Sequence, residues 1–273
     1  RDGLVTRTVF PTVPPRVDVE PGDRWAGVKL RLITANVTRL VFVSEALRQH
    51  FSRAHAISAH RTMVIPNGID PQHFHAAPTR ALRHELGIAV DAVLVGAVGN
   101  LRPAKGYDDL LAVAALLRDE YPQIHFVVAG ERSEPMHARL VARRQALGLE
   151  DRVHFIGFRR DIADVLNGVD FYVSTSLSEG FSLTTIQAMA CGLAVAATRS
   201  GGPEEIVTDG TDGLLVPVSE PAAMARAVAS LATDGELRRR LSATGRDTVL
   251  RRFTLRRMVD AYEAVYDDAM VGA

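Results

Sequence analysis

The residues of this sequence that could bind an anion lie in two turns, each between a predicted strand and a predicted helix. The first turn belongs to the segment Ser178–Gly192 (SEGFSLTTIQAMACG), which follows an apolar run typical of a buried strand. Glu179 and Gly180 stand at the carboxyl end of that strand, and Ser182, a favourable capping residue, begins a helical pattern that ends at Gly192. The pattern predicts a strand–turn–helix–strand unit whose turn faces the ligand crevice of a parallel sheet.

The first turn of this predicted helix offers three free backbone N–H groups, those of Ser182, Leu183 and Thr184. Such groups can bind an anion, which the helix dipole favours. The Glu179 carboxylate is a poor neighbour for phosphate but a good acceptor for sugar hydroxyls. Gln187 lies one turn further on, and its amide can reach the same crevice because helical side chains lean toward the N-terminus. On spacing alone, a solvated glutamate before a capped helix explains the segment better than a ligand-binding turn does.

The second turn, Gly99–Gly106 (GNLRPAKG), follows the apolar run Ala92–Val98 and precedes another helical pattern. It carries two cations, Arg102 and Lys105. When the bond between a sugar and a nucleoside diphosphate breaks, negative charge grows on the departing diphosphate, and each fixed cation there lowers the barrier by roughly 3 kcal/mol. Arginine can donate to two phosphate oxygens, whereas lysine acts as a point charge. Taken alone, the turn is more simply a surface loop with two solvated cations.

Strands and helices alternate after residue 70, which predicts an α/β fold with a Rossmann-like parallel sheet, helices on both faces and right-handed crossovers. The predicted strands are Ala92–Val98, His125–Ala129, Val153–Ile156, Val169–Val173, Leu193–Ala197 and Leu214–Val216. The predicted helices are Pro78–Leu86, Gly106–Leu117, Pro135–Leu147, Ile162–Asn167, Leu183–Ala190, Pro203–Thr208, Ala222–Ala232, Gly235–Arg251 and Thr254–Met270.

The N-terminal part is less regular. Residues 1–23 contain four prolines and little periodicity, which predicts an irregular segment. A helix is predicted over Arg24–Val37 and another from Ser44 to Arg53, with short strands at Leu40–Val43 and Thr62–Ile65.

The composition argues against several classes of protein. The formal net charge is zero and 47% of the residues are hydrophobic, which argues against disorder and against a nucleic-acid partner. The single cysteine, Cys191, fits a reducing compartment and is expected to be a small buried residue. No histidine spacing indicates a metal site, so we expect no metal and no other cofactor. No apolar run spans a bilayer and no signal peptide is visible, which favours a cytoplasmic protein.

Both turns resemble those of the retaining glycosyltransferases of the GT-B fold, family-4 type. That family has an acidic residue, Gly-Phe-Gly/Ser-Leu, and then a second acidic residue before Ala-Met-Ala-x-Gly. The matching residues are Glu179, Gly180, Phe181, Ser182, Leu183, Ala188, Met189, Ala190 and Gly192, and Lys105-Gly106 matches the Lys-Gly of the other turn. Two positions depart: Gln187 replaces the usual glutamate, and Asn100 stands where arginine is common, with Arg102 two residues later.

The resemblance implies the nucleotide-sugar site of a GT-B enzyme. It assigns Glu179 to the donor sugar and Lys105 to the diphosphate, and we expect Arg102 to supply the charge of the missing arginine, so these three are the expected catalytic residues. Gln187 is expected on the ribose and Phe158 beside the nucleobase, because Gly157-Phe158 resembles the loop that passes the base; a core position for Phe158 is an equal alternative. The expected substrate-binding residues are Gly180, Phe181, Ser182, Leu183, Thr184, Gln187 and Phe158.

The family transfers a hexose from a nucleoside diphosphate sugar to an acceptor hydroxyl with retention of anomeric configuration. The acceptor, whether a glycan, a lipid-linked molecule or a small molecule, is not specified by the sequence. Two alternatives stay open: a nucleotide-sugar-binding module without turnover, and another GT-B activity such as an epimerase or a phosphorylase.

The resemblance also predicts how the chain is divided. Residues 1–67 would be the remnant of an N-terminal acceptor-side domain, 68–253 the nucleotide-sugar-binding domain, and 254–273 a helix that returns to the first domain. We therefore expect the chain to be incomplete for turnover and the apolar stripe of its last helix to lack part of its cover. The arginines between residues 236 and 257 could touch anionic lipid at the inner face of a membrane, although a solvated helix face explains them better.

Overall fold

The computed structural model describes residues 9–12, 39–55 and 58–271 of the 273-residue chain. The chain divides into two compact units, one formed by residues 1–68 with 255–273 and the other by residues 69–254. The strands are β1 (Val9–Thr12), β2 (Arg39–Phe42), β3 (Thr62–Val64), β4 (Val93–Val98), β5 (Ile124–Ala129), β6 (Val153–Gly157), β7 (Phe171–Ser174), β8 (Val195–Thr198) and β9 (Leu214–Val216). The helices are α1 (Glu45–His55), α2 (Ala81–Leu86), α3 (Tyr107–Leu117), α4 (Met136–Ala146), α5 (Ile162–Asn167), α6 (Leu183–Ala190), α7 (Pro203–Ile206), α8 (Pro221–Thr233), α9 (Gly235–Arg252) and α10 (Leu255–Val271).

The larger unit is built on a parallel sheet with the strand order β6-β5-β4-β7-β8-β9. Its first strand along the chain, β4, lies in the middle beside β7, so the chain extends the sheet in one direction and then in the other. The connections that leave β4 and β7 therefore run to opposite sides, and a crevice opens at the carboxyl ends of these two strands.

Both faces of this sheet are buried. On β4, Val95 and Ala97 belong to a core that includes residues of α3, α4 and α8, while Leu94 and Val98 are buried on the opposite face. Because alternate residues of a strand face opposite sides, a strand that is apolar throughout needs cover on both. The predicted Rossmann-like α/β fold is thus confirmed, and β9, α5 and α6 have the predicted bounds.

The smaller unit contains a parallel sheet with the order β1-β2-β3. β1 lies in the segment predicted to be irregular, so that prediction was wrong for Val9–Thr12. Its proline, Pro11, is tolerated because, among the strands that the structure describes, β1 pairs only with β2, and an edge strand can leave backbone groups unpaired. The helix predicted over Arg24–Val37 lies outside the described residues.

The last helix of the chain belongs to the smaller unit. Met258, Tyr262 and Val265 of α10 pack with Val41 and Ile65, so the apolar stripe of the helix is covered in part. Other apolar side chains of α10 remain exposed. The roles assigned to the two units, and the predicted boundaries at residues 67 and 253, stay predictions.

The larger unit begins and ends at neighbouring points. The backbone N–H of Ile69 donates a hydrogen bond to the carbonyl of Phe253 at 2.9 Å, and Ile69 forms a parallel bridge with Thr254. The first and last residues of the segment from 69 to 254 are therefore held together by backbone contacts.

Arginines of α9 interact with neighbouring backbone. Arg240 donates to the carbonyl of Gly210 at 3.0 Å, Arg252 to that of Glu205 at 2.8 Å, and Arg238 to carbonyls at the end of α8. These three side chains therefore donate to backbone carbonyls and do not form a free cationic face. Among the helices of the described residues, none is both long and apolar enough to cross a membrane.

The segments that follow β4, β7 and β8 are joined at the carboxyl edge of the larger sheet. The backbone N–H of Leu177 donates to the carbonyl of Ala104 at 2.7 Å. The N–H of Glu179 donates to the carbonyl of Ser200 at 2.8 Å, and that of Gly202 donates back to the carbonyl of Glu179 at 2.7 Å. Both predicted turns thus meet at the crevice between β4 and β7.

Gly106 makes the closest of these approaches. It has the left-handed backbone conformation, with φ at +62°, and a Cβ atom there would stand 2.0 Å from the carbonyl oxygen of Thr175. The hydroxyl of Thr175 donates to the carbonyl of Lys105 at 3.1 Å. Only glycine allows the backbone to come this close, so the Lys-Gly pair fixes the turn after β4 against the end of β7.

We expect Gly106→Ala to destabilise the larger unit by roughly 3 kcal/mol, because the new methyl group adds a backbone clash to the cost of a left-handed alanine. Gly87→Ala is the matched control: Gly87 has φ at +65° and no atom within 4 Å of the place that a Cβ would take, so it should cost only about 1 kcal/mol. Urea unfolding of both variants measures the difference. Equal losses would show that the contact with Thr175 carries no weight.

Candidate active site

Lys105 and Glu179 form an ion pair in the crevice between β4 and β7. The Lys105 Nζ atom lies 2.6 Å from Glu179 Oε2, and the two side chains are only 23% and 17% exposed. The sequence predicted both residues as catalytic, and the structure brings their charged groups into direct contact although 74 residues separate them. Removed from most of the solvent, the pair is screened less than a surface pair.

A buried serine shares the same carboxylate oxygen. The hydroxyl of Ser176 donates to Glu179 Oε2 at 3.2 Å, and Ser176 is 1% exposed. No described residue donates to the other oxygen, Oε1. The carboxylate is thus held by one oxygen and has the other available to a ligand.

Two buried tyrosines line the crevice near this carboxylate. The Tyr107 hydroxyl donates to the carbonyl of Gly99 at 2.6 Å, and the Tyr172 hydroxyl is 2.9 Å from Thr184 Oγ1. Burial raises the pKa of Tyr107 well above its usual value and that of Tyr172 to about 12, and the Glu179 charge acts in the same direction on both. Both phenols therefore stay neutral hydrogen-bonding groups.

The start of α6 differs from the prediction in two respects: it lacks a side-chain cap, and the backbone N–H of Leu183, which was predicted to be free, is hydrogen-bonded. Ser182 occupies the capping position, but its side chain lies 2.7 Å from the hydroxyl of Thr185 and caps no backbone group, so the predicted side-chain cap is wrong. The Thr185 hydroxyl lies one turn along the same face of the helix and takes the place of the backbone donor. The N–H of Leu183 donates to the carbonyl of Phe181 at 3.1 Å. The N–H groups of Ser182 and Thr184 donate to no described residue.

The other predicted residues surround this centre with different exposure. Arg102 is exposed at the start of a short 3₁₀ turn, and its guanidinium bonds to no described residue. Gln187 is partly buried on α6. Phe158 is 65% exposed at the end of β6, so the alternative of a core position for it is wrong. The position of Gly157 lies close to the guanidinium of Arg132, an exposed residue that the sequence analysis did not single out.

The remaining predicted residues serve the loop itself. Gly180 lies in the turn, and Phe181 is buried with its ring against Phe253, the two centroids 5.8 Å apart. A Cβ at Gly202 would stand 2.7 Å from the Cα of Phe181, so the segment after β8 packs directly on the turn.

Sequence reasoning missed Ser176, Tyr107 and Tyr172. Both tyrosines have the pattern of core residues, and Ser176 lies just beyond the predicted strand Val169–Val173. A hydroxyl residue just past the carboxyl end of a central strand is a signal that could have identified Ser176. Cys191 is buried, as expected, and burial raises its pKa to about 12. Within the described ranges, no group of three or more His, Cys, Asp or Glu side chains could hold a metal ion.

Comparisons with known proteins agree with this geometry. Residues 78–248 match the family described as Glycosyl transferases group 1. The D-inositol 3-phosphate glycosyltransferase 2 of Catenulispora acidiphila is 33% identical over 225 residues, which are 78% of this chain and 52% of that protein. The D-inositol 3-phosphate glycosyltransferase of Saccharomonospora viridis is 30% identical over 92% of this chain and 60% of its own length. The chain thus spans about half the length of curated relatives that it matches.

Solved structures show the same fold. Anabaena HepE, crystallised with UDP and glucose, has a TM-score of 0.82 and 26% identity, over 89% of this chain and 67% of that one. The C-terminal domain of the group 1 protein LpcC from Francisella tularensis has a TM-score of 0.62 and 28% identity, over 69% of this chain and all of that one. With its Rossmann-like sheet and this match over residues 78–248, the chain belongs to the glycosyl transferases group 1 family, whose structures have the GT-B fold.

Proposed function

We propose that this chain is the donor-binding part of a glycosyltransferase that moves a hexose from a nucleoside diphosphate sugar to an acceptor hydroxyl with retention of configuration. The observation that carries the proposal is the contact between Lys105 and Glu179 at the crevice between β4 and β7. A cation for a diphosphate and a carboxylate for a sugar stand side by side there, as donor recognition requires.

The diphosphate would lie among Lys105, Arg102 and the free N–H groups at the start of α6. Lys105 supplies a point charge, the exposed Arg102 a two-pronged donor, and the helix a partial positive charge. As the sugar–phosphate bond breaks, negative charge grows on the departing diphosphate. Groups that are already fixed there stabilise it without reorganisation.

The hexose would bind to the Glu179 carboxylate through the oxygen that no described residue contacts. This residue carries the only carboxylate in the two segments 99–106 and 178–192, and it is already held by Lys105 and Ser176. It is therefore better suited to binding hydroxyls than to attacking the anomeric carbon. A turn without a free nucleophile supports departure and attack on the same face of the sugar, which retains configuration.

Gln187 would bind the ribose, and Phe158, exposed at the end of β6, would contact the base. Anabaena HepE has been crystallised with UDP and glucose and with UDP-glucose. This likeness supports UDP and a glucose-like hexose as the first donor to test. The acceptor, a cytoplasmic location and any membrane contact remain predictions from the sequence alone.

A second candidate is a donor-binding module without turnover. It is favoured by Gln187, because an uncharged amide binds a ribose diol more weakly than the carboxylate that is usual in the family. Transfer of hexose by the full-length protein, with loss of transfer in Glu179→Ala, would exclude it. An epimerase or phosphorylase would be revealed by conversion of the donor without an acceptor alcohol.

The proposed roles predict opposite effects of two substitutions on UDP binding. Lys105→Ala removes the cation and should weaken UDP by about 10-fold or more. Glu179→Gln releases Lys105 from its partner and removes a negative charge near the phosphates, so UDP should bind roughly 3-fold more tightly. Calorimetric titration of this chain with UDP, and with GDP as a second base, measures both. A cation without a role in diphosphate binding would leave the affinity unchanged in Lys105→Ala.

The ribose assignment predicts that Gln187→Glu binds UDP roughly 3- to 10-fold more tightly, because a carboxylate accepts charge-assisted hydrogen bonds from both ribose hydroxyls. Titration with 2′,3′-dideoxy-UDP is the control, since the gain should vanish when the hydroxyls are absent. An equal gain with both nucleotides would place the residue elsewhere in the site.

A further inference from the structure

We propose that Ser176 is a positioning residue for the donor sugar, which it orients by holding the Glu179 carboxylate. The inference rests on the proposed function and extends it to a residue outside the recognised turns. Its basis is that Ser176 and Lys105 both donate to the same oxygen of Glu179, at 3.2 and 2.6 Å.

Donor binding affects these two contacts differently. Lys105 has a second partner once a diphosphate is present, since the phosphate oxygens carry more charge than the carboxylate. As Lys105 turns toward the diphosphate, its hold on Glu179 weakens. Ser176 has no such alternative, because it is 1% exposed and no ligand can reach it. Its hydroxyl then becomes the contact that keeps Oε2 in place and Oε1 directed at the sugar.

The direction of the Ser176 hydroxyl is fixed by its neighbours. A carboxylate can only accept, so the single hydroxyl proton of Ser176 points to Glu179. The Ser174 hydroxyl lies 3.2 Å from that of Ser176 and must therefore donate to it. The Ser176 carbonyl in turn accepts from Thr198 Oγ1 at 2.5 Å. The serine is thus oriented from strand β7 on one side and β8 on the other.

The same short segment also controls the cation. Thr175 donates to the carbonyl of Lys105, and the next residue, Ser176, donates to Glu179. Alternate side chains of an extended segment point in opposite directions, so two adjacent residues serve the two halves of the ligand. We infer that this segment sets the separation between the diphosphate site and the sugar site.

The test separates the sugar from the rest of the donor. The donor that binds more tightly, UDP-glucose or GDP-mannose, and the free diphosphate with the same base are titrated into the chain by calorimetry. Ser176→Ala should weaken the sugar donor roughly 10-fold and leave the free diphosphate within about 2-fold. Ser230→Ala is the control, because the half-buried Ser230 of α8 donates to the carbonyl of Ala227 at 2.8 Å and lies outside the site; it should leave the preference for the sugar donor within about 2-fold.

A double-mutant cycle distinguishes positioning from general loosening of the loop. If Ser176 acts through Glu179, adding Ser176→Ala to Glu179→Ala should cause no further change in the preference for the sugar donor. The same loss in that background, or equal weakening of donor and free diphosphate, would overturn the inference. The inference would also be overturned if the wild-type chain bound the sugar donor no more tightly than the free diphosphate. Failure of Lys105→Ala to weaken the free diphosphate is a separate result, which would overturn the proposed function and the inference together.

Discussion

The approach of Gly106 to the carbonyl of Thr175 is the constraint on which the candidate site depends. It holds the turn after β4 against the end of β7 at a distance that no residue with a Cβ could reach. Lys105 precedes that glycine directly, and Ser176 follows that carbonyl, so one backbone contact places both residues beside Glu179. The geometry of the charges is therefore set by main chain, which is stiffer than the side chains that carry the charge.

Under the proposed function, the ion pair at the centre of the site would have two states, one in which Lys105 and Glu179 contact each other and one in which each contacts the donor. Lys105 and Glu179 neutralise one another, which lowers the cost of leaving both charges largely out of solvent. Under the proposed function, a diphosphate would compete with the carboxylate for the lysine, and a sugar would compete with the lysine for the carboxylate. The diphosphate would thus free Glu179 for the sugar, and the sugar would free Lys105 for the diphosphate. A compound with both halves would then gain more than the sum of two separate ligands, which would favour the intact donor.

Much of the fold could be predicted from the sequence, because apolar runs and helical periodicity mark the elements of a buried parallel sheet. The strand order could not, and it is the order that places Lys105 after β4 and Glu179 after β7 at one crevice. Lys105 and Glu179 were recognisable through their family resemblance, whereas Arg102 lies where the pattern departs from the family and Ser176 was hidden at the end of an apolar run. Val9–Thr12 was missed because a proline is compatible with an edge strand, which local patterns do not distinguish from a loop.

The hydrogen bond between Ile69 and Phe253 has a consequence for protein engineering. It brings the first and last residues of the larger unit side by side, so that this unit has the geometry of an insertion into its host. New termini, or a short covalent link, at the contact between Ile69 and Phe253 would leave the sheet and its crevice intact. The larger unit is therefore suited to being excised as a separate domain, cyclised, or inserted into another protein.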